Sequence, residues 1–475
     1  MTGFECSTFV WQDRQRKDYV VATGHDRHLR ADYDAAMDLG IGVVREAIRW
    51  PVVDLGNGRY DWSSVKAVQD AATDCKITPI WDLCHYGLPD DCDPFSDDCR
   101  KRFVDYCREA GRFVTSSAEP PFFFTPINEI TFFSAAASDL GWMSPFAKGR
   151  EDGLKRALAR MAIEGAKAIR EFCPEARMVH VDPIIHAVPP PDRPDLADEA
   201  EDEEHREAYE GWDMLAGRLN PELGGSPEIL DIVGVNAYHY SQVQLGEDKK
   251  REILGPRDPR RKPLSELLQF AWERYRRPII IGETSGFQDN RAEWLRMTME
   301  ESLKAINAGV GLHGVCLYPF VDVPDWWSKK WAQIGIYDVT DKESFERVPV
   351  GPYIAELRSW QKLLDQPENV EPDAYGHGRA AFEIADPELG ALQVDEDRRW
   401  AASFLLERAD RRDLLRFLDL LAVAHVDAKG VGTGLAKLAD HVRAGAGRAE
   451  RGEYAHFART GLDDHRHAAV HRRSL

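Results

Sequence analysis

The sequence predicts an α/β protein, a (β/α)8 TIM barrel with a helical C-terminal extension. Short apolar runs alternate with amphipathic helical patterns eight times over about 365 residues. The apolar runs are rich in Val, Ile, Phe and Tyr and do not alternate cleanly with polar residues, which is typical of parallel strands buried on both faces. No glycine-rich phosphate turn follows the first run, which disfavours the alternative, a doubly wound open sheet.

Eight segments are predicted as the barrel strands. In chain order they are GFECSTF, GVVREAIRW, TPIWDLCHYG, FFFTPINE, MVHVDPIIH, DIVGVNAYHY, PIIIGETSG and GVCLYPFVD. Apolar stripes at helical spacing predict helices between them, including residues 28–39, 97–115, 153–173, 291–308 and 351–364. Ser63, Asp97 and Asp152 are predicted as N-caps of three helices, because short polar side chains accept hydrogen bonds from the first turn.

The composition changes near residue 367. The segment QPENVEPDAYGHG is typical of a linker, and RRWAASFLLERADRRDLLRFLDLLAVAHV has strong helical periodicity. We therefore predict a catalytic barrel over residues 1–367 and a mainly helical extension over 368–475, which ends in a frayed basic tail. A structural role for this extension, such as dimerisation, is a separate hypothesis.

Charge limits the class of partner. The formal net charge is −20 and the pI is near 5.3, which disfavours binding to nucleic acid or to an anionic membrane surface. No apolar run approaches the length of a membrane span, and no basic region at the N-terminus precedes a long apolar stretch. We expect a cytoplasmic protein that binds neither nucleic acid nor a membrane, and the sequence specifies no oligomeric state.

The eight cysteines are scattered and form no CxxC pair. We therefore expect free thiols in a reducing cytosol, no metal centre and no cofactor.

Two glutamates stand where strands end. The fourth strand runs into Asn128 and Glu129, and the seventh ends in Glu283. All strand C-termini of a barrel meet at one mouth, so these carboxyls are expected to face each other there. A facing pair, one protonated and one ionised, is what glycoside hydrolysis requires. The alternative is that each glutamate only pairs with a cation such as Arg45 or Arg49.

Seven motifs, in order, resemble glycoside hydrolase family 1, the β-glucosidase family, or a close relative in the same clan of retaining barrels. The resemblance covers roughly residues 35–340, and no single motif is specific. The motifs are VVREAIRW, DLCHYGLPD, TPINEI, VGVNAYHY, IIGETSG, YPFVDVPDWW and IGIYDV.

The resemblance implies a role for each matched residue. Glu283 would be the nucleophile and Glu129 the acid/base, with carboxyls about 5–5.5 Å apart. Arg45 and Tyr238 would hold Glu283 ionised. The sugar would be contacted by His85, Asn128, Asn236, Tyr318, Asp325 and Trp326.

The sequence departs from the family pattern at several residues around Glu129 and Glu283. Ile130 replaces a proline after the acid/base, Gly282 and Thr284 replace the residues beside the nucleophile, Tyr318 replaces a tryptophan and Asp325 replaces a glutamate. The family's early glutamine has no clear counterpart, and Glu5 and Gln12 are the candidates to replace it. The departures preserve the reaction class and change the sugar-binding shell.

Several side chains keep a second interpretation. His85 also fits a wall residue, Asn128 a strand-end amide and Trp327 either rim packing or sugar stacking. Asp82 and His85 would point to opposite faces if their strand continued, and would meet only if it had ended. Ser328-Lys329-Lys330 fits a solvated basic loop better than a site for a 6-phosphate.

The predicted function is a retaining exo-β-glycosidase with a carbohydrate or glycoside substrate. A transglycosidase shares the chemistry up to the covalent intermediate, and a non-catalytic carbohydrate-binding barrel is the alternative from another class.

Overall fold

A computed structural model describes residues 1–246, 250–328 and 330–364. Eight parallel strands close into a barrel, in which each strand pairs with its neighbours in chain order. The strands are β1 (Thr2–Gly3), β2 (Val43–Ala47), β3 (Thr78–Asp82), β4 (Phe123–Thr125), β5 (Arg177–Pro183), β6 (Ile232–Asn236), β7 (Ile279–Thr284) and β8 (Leu312–Leu317). Thr2 closes the barrel, because it lies opposite Val44 on β2 and Leu317 on β8. The predicted (β/α)8 fold is confirmed.

Helices surround the barrel. They are α1 (Tyr19–Ala22), α2 (His25–Asp38), α3 (Trp50–Val53), α4 (Ser63–Cys75), α5 (Asp97–Ser116), α6 (Ile130–Ala137), α7 (Glu151–Arg170), α8 (Ala197–Ala208), α9 (Glu210–Leu215), α10 (Leu264–Tyr275), α11 (Arg291–Asn307) and α12 (Gly351–Leu364). Within the described residues, none of them has the length and apolarity needed to cross a bilayer.

Two apolar layers explain why the strands read as continuous apolar runs. The inward side chains form one cluster inside the barrel: Ile80, Phe123, Val179, Val181, Ile232 and Ile280. The outward side chains pack against the helices in a second, larger cluster. Burial on both faces removes the polar alternation of a half-exposed strand.

Short strands occupy the loops that follow β5, β6 and β8. His186–Val188, Gln242–Leu245 and Arg251–Ile253 form a three-stranded sheet, and two small antiparallel pairs join Val323–Pro324 to Trp331–Ala332 and Tyr337–Val339 to Arg347–Pro349. These loops follow the C-terminal ends of the strands, where a barrel builds its site.

A buried charge network joins α2 to β2. His25 Nδ1 lies 2.8 Å from Asp32 Oδ2, and its Nε2 lies 3.0 Å from Glu46 Oε1. Tyr33 donates to the same Glu46 oxygen at 2.7 Å, and Arg347 binds both oxygens of Asp32 at 2.9 Å. Burial alone would lower the pKa of His25, but the two carboxylates raise it to about 9.

The predicted N-caps are displaced. Ser63, Asp97 and Asp152 are the first or second residues of their helices and not the caps. Ser96 caps α5, because its Oγ accepts a hydrogen bond from the backbone N–H of Cys99 at 3.1 Å. A serine followed by two aspartates offers three candidate caps, and the backbone decides among them.

The prediction that all cysteines are free thiols is wrong for one pair. Cys92 and Cys99 form a disulfide, and the other six cysteines are free and buried. Cys92 lies in the loop after β3 and Cys99 in the first turn of α5; the loop folds back onto the helix, so that their Cα atoms are 5.2 Å apart. The cytoplasmic location stays a prediction, and it loses the support of fully reduced thiols.

The predicted boundary at 367/368 and the helical extension with its basic tail lie outside the described residues, as does Lys329.

Candidate active site

A tight turn after β4 sets the direction of Glu129. Its backbone is left-handed, with φ of 47° and ψ of 62°, and it precedes the first residue of α6. The N–H of Asn128 donates to Cys84 at 3.0 Å, and that of Glu129 donates to Val181 on β5 at 2.8 Å. The apolar strand thus ends in a polar turn that is hydrogen-bonded on both sides, and Glu129 is buried at the mouth.

Glu283 lies near the end of β7, opposite Asn236 of β6 in the strand register. The residue before it must be small, because a Cβ on Gly282 would lie 2.8 Å from Val181 and 2.9 Å from the side-chain oxygen of Asn236. The Glu283 carboxylate accepts from Arg45 Nη1 at 2.6 Å and from the Tyr238 hydroxyl at 3.1 Å. The predicted partners of Glu283 therefore do contact it.

Arg45 connects the two halves of the site. It is fully buried on β2, and beside its bond to Glu283 its Nη2 donates to Asp82 at 2.6 Å and to the Asn128 side chain at 2.7 Å. Burial alone would lower the pKa of Arg45, but the charges of Glu283 and Asp82 raise it well above its ordinary value. The charged Arg45 guanidinium therefore lies between Glu283, the nucleophile candidate, and Asn128, which precedes the acid/base candidate Glu129.

Glu129 has a different environment. The side-chain amide of Asn236 donates to its Oε1 at 2.8 Å, and the Tyr86 hydroxyl donates to its Oε2. Burial, and then repulsion by the charge of Glu283, raise the pKa of Glu129 to about 7, although these two hydrogen bonds lower it. Glu129 is thus suited to hold a proton near neutral pH, whereas Glu283 is paired with a guanidinium.

Asp82 and His85 meet, because β3 ends at Asp82. His85 Nδ1 lies 3.0 Å from Asp82 Oδ2, and its Nε2 lies 3.2 Å from the side-chain nitrogen of Asn128. Burial lowers the pKa of His85, but Asp82 outweighs it and the net direction is up. Of the two geometries weighed from the sequence, the one with the strand already ended is observed.

One group of side chains in the site has the composition of a possible zinc site. It consists of Cys6, Asp82 and His85, whose potential ligand atoms lie within 4.8 Å of one another. However, Asp82 Oδ2 already receives both Arg45 and His85, and the guanidinium supplies the positive charge beside this carboxylate. The absence of a metal centre stays a prediction.

Two side chains in the site received no firm role from the sequence. Tyr86 lies in the DLCHYGLPD motif beside His85, and only the structure brings its hydroxyl to Glu129. Glu5 is buried here, with its Oε1 3.5 Å from the Tyr318 hydroxyl and 3.8 Å from His85 Nε2. Gln12, the other candidate for the missing glutamine, is exposed.

Tyr318 is fixed within this group. Its ring is parallel to that of His85, with centroids 6.1 Å apart, and its hydroxyl accepts from the N–H of Cys6 at 3.0 Å. The Arg45 guanidinium lies 5.2 Å from its ring centroid. Tyr318 is thus placed among the predicted sugar contacts.

Asp325 and Trp326 lie in the loop after β8. Asp325 Oδ1 accepts from the backbone N–H groups of Trp327 at 3.0 Å and Ser328 at 2.5 Å, so this oxygen shapes its own loop. Trp326 belongs to an aromatic group with Phe9 and Tyr86, at centroid distances of 4.8 and 6.1 Å. Trp326 is thus linked through Tyr86 to Glu129.

Trp327 lies at the rim. Its ring meets Trp11 and Trp142 edge-on, at 4.9 and 4.8 Å between centroids, and the residue remains 54% exposed. Packing and sugar stacking are both compatible with this position, so its role stays open.

No family model matches the sequence, and no curated protein matches it. Solved structures do match the fold. A family 1 β-glucosidase from Thermotoga maritima superposes with a TM-score of 0.62 at 19% identity, over 74% of this chain and 89% of that one. The β-glucosidase from the same organism in complex with cyclophellitol gives 0.63 at 18%, over 74% and 89%. The AHE enzyme from Alicyclobacillus herbarius gives 0.62 at 18%, over 71% and 88%. The chain therefore has a barrel of the family 1 β-glucosidase type.

Proposed function

We propose that this protein is a retaining exo-β-glycosidase that hydrolyses O-glycosidic bonds by double displacement, with Glu283 as nucleophile and Glu129 as acid/base. The observation that carries the proposal is the contrast between two buried carboxyls at the ends of β4 and β7. Burial and like charge raise the pKa of Glu129 to about 7, whereas Glu283 accepts from Arg45 and Tyr238. Retaining catalysis needs this division between a proton donor and a charged nucleophile.

In the first step Glu283 attacks the anomeric carbon, and Glu129 gives its proton to the departing glycosidic oxygen. The C–O bond to the leaving group breaks as the ester bond to Glu283 forms. Arg45 and Tyr238 hold the Glu283 carboxylate in position. The side-chain oxygen of Asn128 accepts from Arg45, and its side-chain nitrogen, 3.2 Å from both the Tyr86 hydroxyl and His85 Nε2, is the donor assigned to the sugar's 2-hydroxyl.

In the second step the esterified Glu283 no longer carries a negative charge. The repulsion that raised the pKa of Glu129 disappears, so this pKa falls and the Glu129 carboxylate takes a proton from water. The water oxygen bonds to the anomeric carbon as the ester bond breaks, which releases the sugar and the Glu283 carboxylate. The electrostatic coupling between the two acids therefore accounts for one residue serving in both steps.

Carbohydrate as the substrate class has independent support. Several structures with the same fold are β-glucosidases, some of them in complex with sugar-like inhibitors such as glucoimidazole and castanospermine. The sequence resemblance assigns the same two glutamates, and the altered residues around them lie in the sugar-binding shell.

The test is to trap the covalent intermediate. The full-length protein is incubated with a panel of aryl 2-deoxy-2-fluoro β-glycosides and digested, and the peptides are analysed by mass spectrometry. We expect one adduct, on Glu283, for at least one sugar. Glu283→Gln should form no adduct and hydrolyse no aryl β-glycoside, and Glu293→Gln, a matched change at an exposed residue of α11, should behave as wild type.

Absence of both adduct and turnover with every sugar would refute the proposal and favour a carbohydrate-binding barrel. An adduct on another residue would refute the assignment of Glu283. Products that contain a second sugar or an alcohol in place of water would identify a transglycosidase with the same nucleophile.

A further inference from the structure

Glu5 is a carboxylate of the pocket in addition to Glu129, Glu283 and Asp82, and it lies two residues after the end of β1. Its Oε1 accepts from the backbone N–H of Ser7 at 3.0 Å and from the Ser7 hydroxyl. Its Oε2 receives no hydrogen bond from any described residue, and about 10% of the side chain remains exposed. One oxygen is thus anchored, and the other is available to a ligand.

The position of Glu5 relates it to the proposed catalytic pair. Its negative charge contributes to the raised pKa values of Tyr86 and Tyr238, whose hydroxyls donate to Glu129 and Glu283. The Tyr318 hydroxyl lies 3.5 Å from Glu5 Oε1. Glu5 is therefore close enough to act electrostatically on the groups that hold both acids.

The charge of Glu5 is poorly balanced by the protein. Arg45 is bonded to Glu283 and Asp82, and forms no ion pair or hydrogen bond with Glu5 among the described residues. The His85 Nε2 atom lies 3.8 Å from Glu5 Oε1, and the other ring nitrogen of His85 already faces Asp82. Three carboxylates thus share a guanidinium and one imidazole, and an added cation would be attracted.

We propose that the pocket selects a sugar with a free, positively charged amino group, and that Glu5 is the carboxylate that receives this ammonium. The proposal rests on the carbohydrate function proposed above and names the substrate class. A neutral amide would suffice for a sugar hydroxyl and would avoid the cost of holding a carboxylate away from water. An ammonium offsets that cost through a charge-assisted hydrogen bond to the open Oε2.

The test measures binding and does not depend on turnover. Calorimetry on the full-length protein at pH 6 compares glucose and galactose with their 2-, 3-, 4- and 6-amino-deoxy forms and with the N-acetylated forms, which lack the charge. We expect at least one amino sugar to bind about tenfold more tightly than its parent, and N-acetylation to remove the advantage. The preference should fall as the pH rises through the pKa of the sugar's amino group.

Glu5→Gln should reduce that preference ratio to about threefold or less, and Glu293→Gln should retain it. Equal or tighter binding of the neutral sugars by wild type would overturn the proposal, and so would an undiminished preference in Glu5→Gln. If Glu5→Gln does not fold, the wild-type pH series and the N-acetylated sugars still show whether the protein prefers a charged amino group. Failure here leaves the adduct on Glu283 unaffected, and failure of that adduct leaves the binding preference measurable, so the two outcomes are distinguishable.

Discussion

The side-chain amide of Asn236 donates to Oε1 of Glu129 at 2.8 Å. Because Asn236 also lies opposite Glu283 in the register of β6 and β7, one residue contacts the acid/base candidate and lies beside the nucleophile candidate. The Asn236 Oδ1 is buried without a hydrogen-bond partner among the described residues, so the amide retains an acceptor. Asn236 thus links the two acids, through a side-chain hydrogen bond to Glu129 and through strand pairing with Glu283.

Removal of the charge at position 283 should lower the pKa of Glu129. After burial, repulsion from Glu283 is the largest cause of the raised value near 7. In Glu283→Gln we expect a fall of about one pH unit or more, measured by the pH dependence of the Glu129 carboxyl carbon signal in NMR. Glu283→Asp, which keeps the charge, should give a smaller change, and an unchanged pKa in Glu283→Gln would show that the two acids are not coupled.

Tyr86→Phe should act in the opposite direction. The Tyr86 hydroxyl stabilises the charged form of Glu129, so its loss raises the pKa of Glu129. The basic limb of the pH profile of kcat/KM, where the proton donor is lost, should move up by about one pH unit. Tyr60→Phe, outside the site, is the control, and a downward movement of the limb would contradict the assignment of Glu129 as the acid.

Arg45→Lys should impair catalysis more than stability. Lysine keeps a buried positive charge but cannot reach Glu283, Asp82 and Asn128 together, as the guanidinium does. We expect kcat/KM to fall about 100-fold or more on aryl glycosides, with a small loss in the free energy of unfolding. Arg45→Met leaves two buried carboxylates without this cation, and should cost about 3–5 kcal/mol in urea unfolding. Equal stability of the two variants would refute this reasoning.

His25 should make the stability of the fold depend on pH. Its pKa is raised to about 9, above the value of about 6.5 expected in the unfolded chain. Its contribution is therefore complete below pH 6.5 and is lost as the pH rises through 9, with an upper magnitude of about 3 kcal/mol. Urea unfolding at pH 6 and at pH 9.5 should show a smaller difference in His25→Gln than in wild type. His28→Gln is the control, and identical differences in all three proteins would contradict the prediction.

Much of the fold and part of the site follow from the sequence. Strands buried on both faces, such as β6 and β7, have a pattern that few other elements share, so seven of the eight predicted segments contain most of a barrel strand. The first predicted segment, residues 3–9, overlaps β1 only at Gly3. Glu129 and Glu283 were expected at the mouth of the barrel because each follows or ends a buried apolar run, and the structure has Glu129 in the turn after β4 and Glu283 near the end of β7. Arg45 and Tyr238 followed from their motifs, and both contact Glu283.

Features that depend on approach in space were not predictable. Cys92 and Cys99 pair because a loop folds back onto α5, and their spacing carries no signal for this. Tyr86 follows His85 in the chain, and its backbone is left-handed, with φ of 64°. In this conformation the Tyr86 hydroxyl donates to Glu129. A polar residue with positive φ is difficult to read from sequence, because only glycine adopts this conformation without cost.

The pairing of β1 with β8 has a consequence for synthesis of the chain. Thr2 pairs with Leu317, 315 residues later in the chain, in the strand register of the barrel. The Thr2 hydroxyl also donates a hydrogen bond to the backbone carbonyl of Leu317 at 2.6 Å. At about 5–20 residues per second, the first strand leaves the ribosome roughly 15–60 s before its partner exists. Throughout that interval one edge of the nascent sheet is open, and a chaperone or a neighbouring nascent chain has access to it.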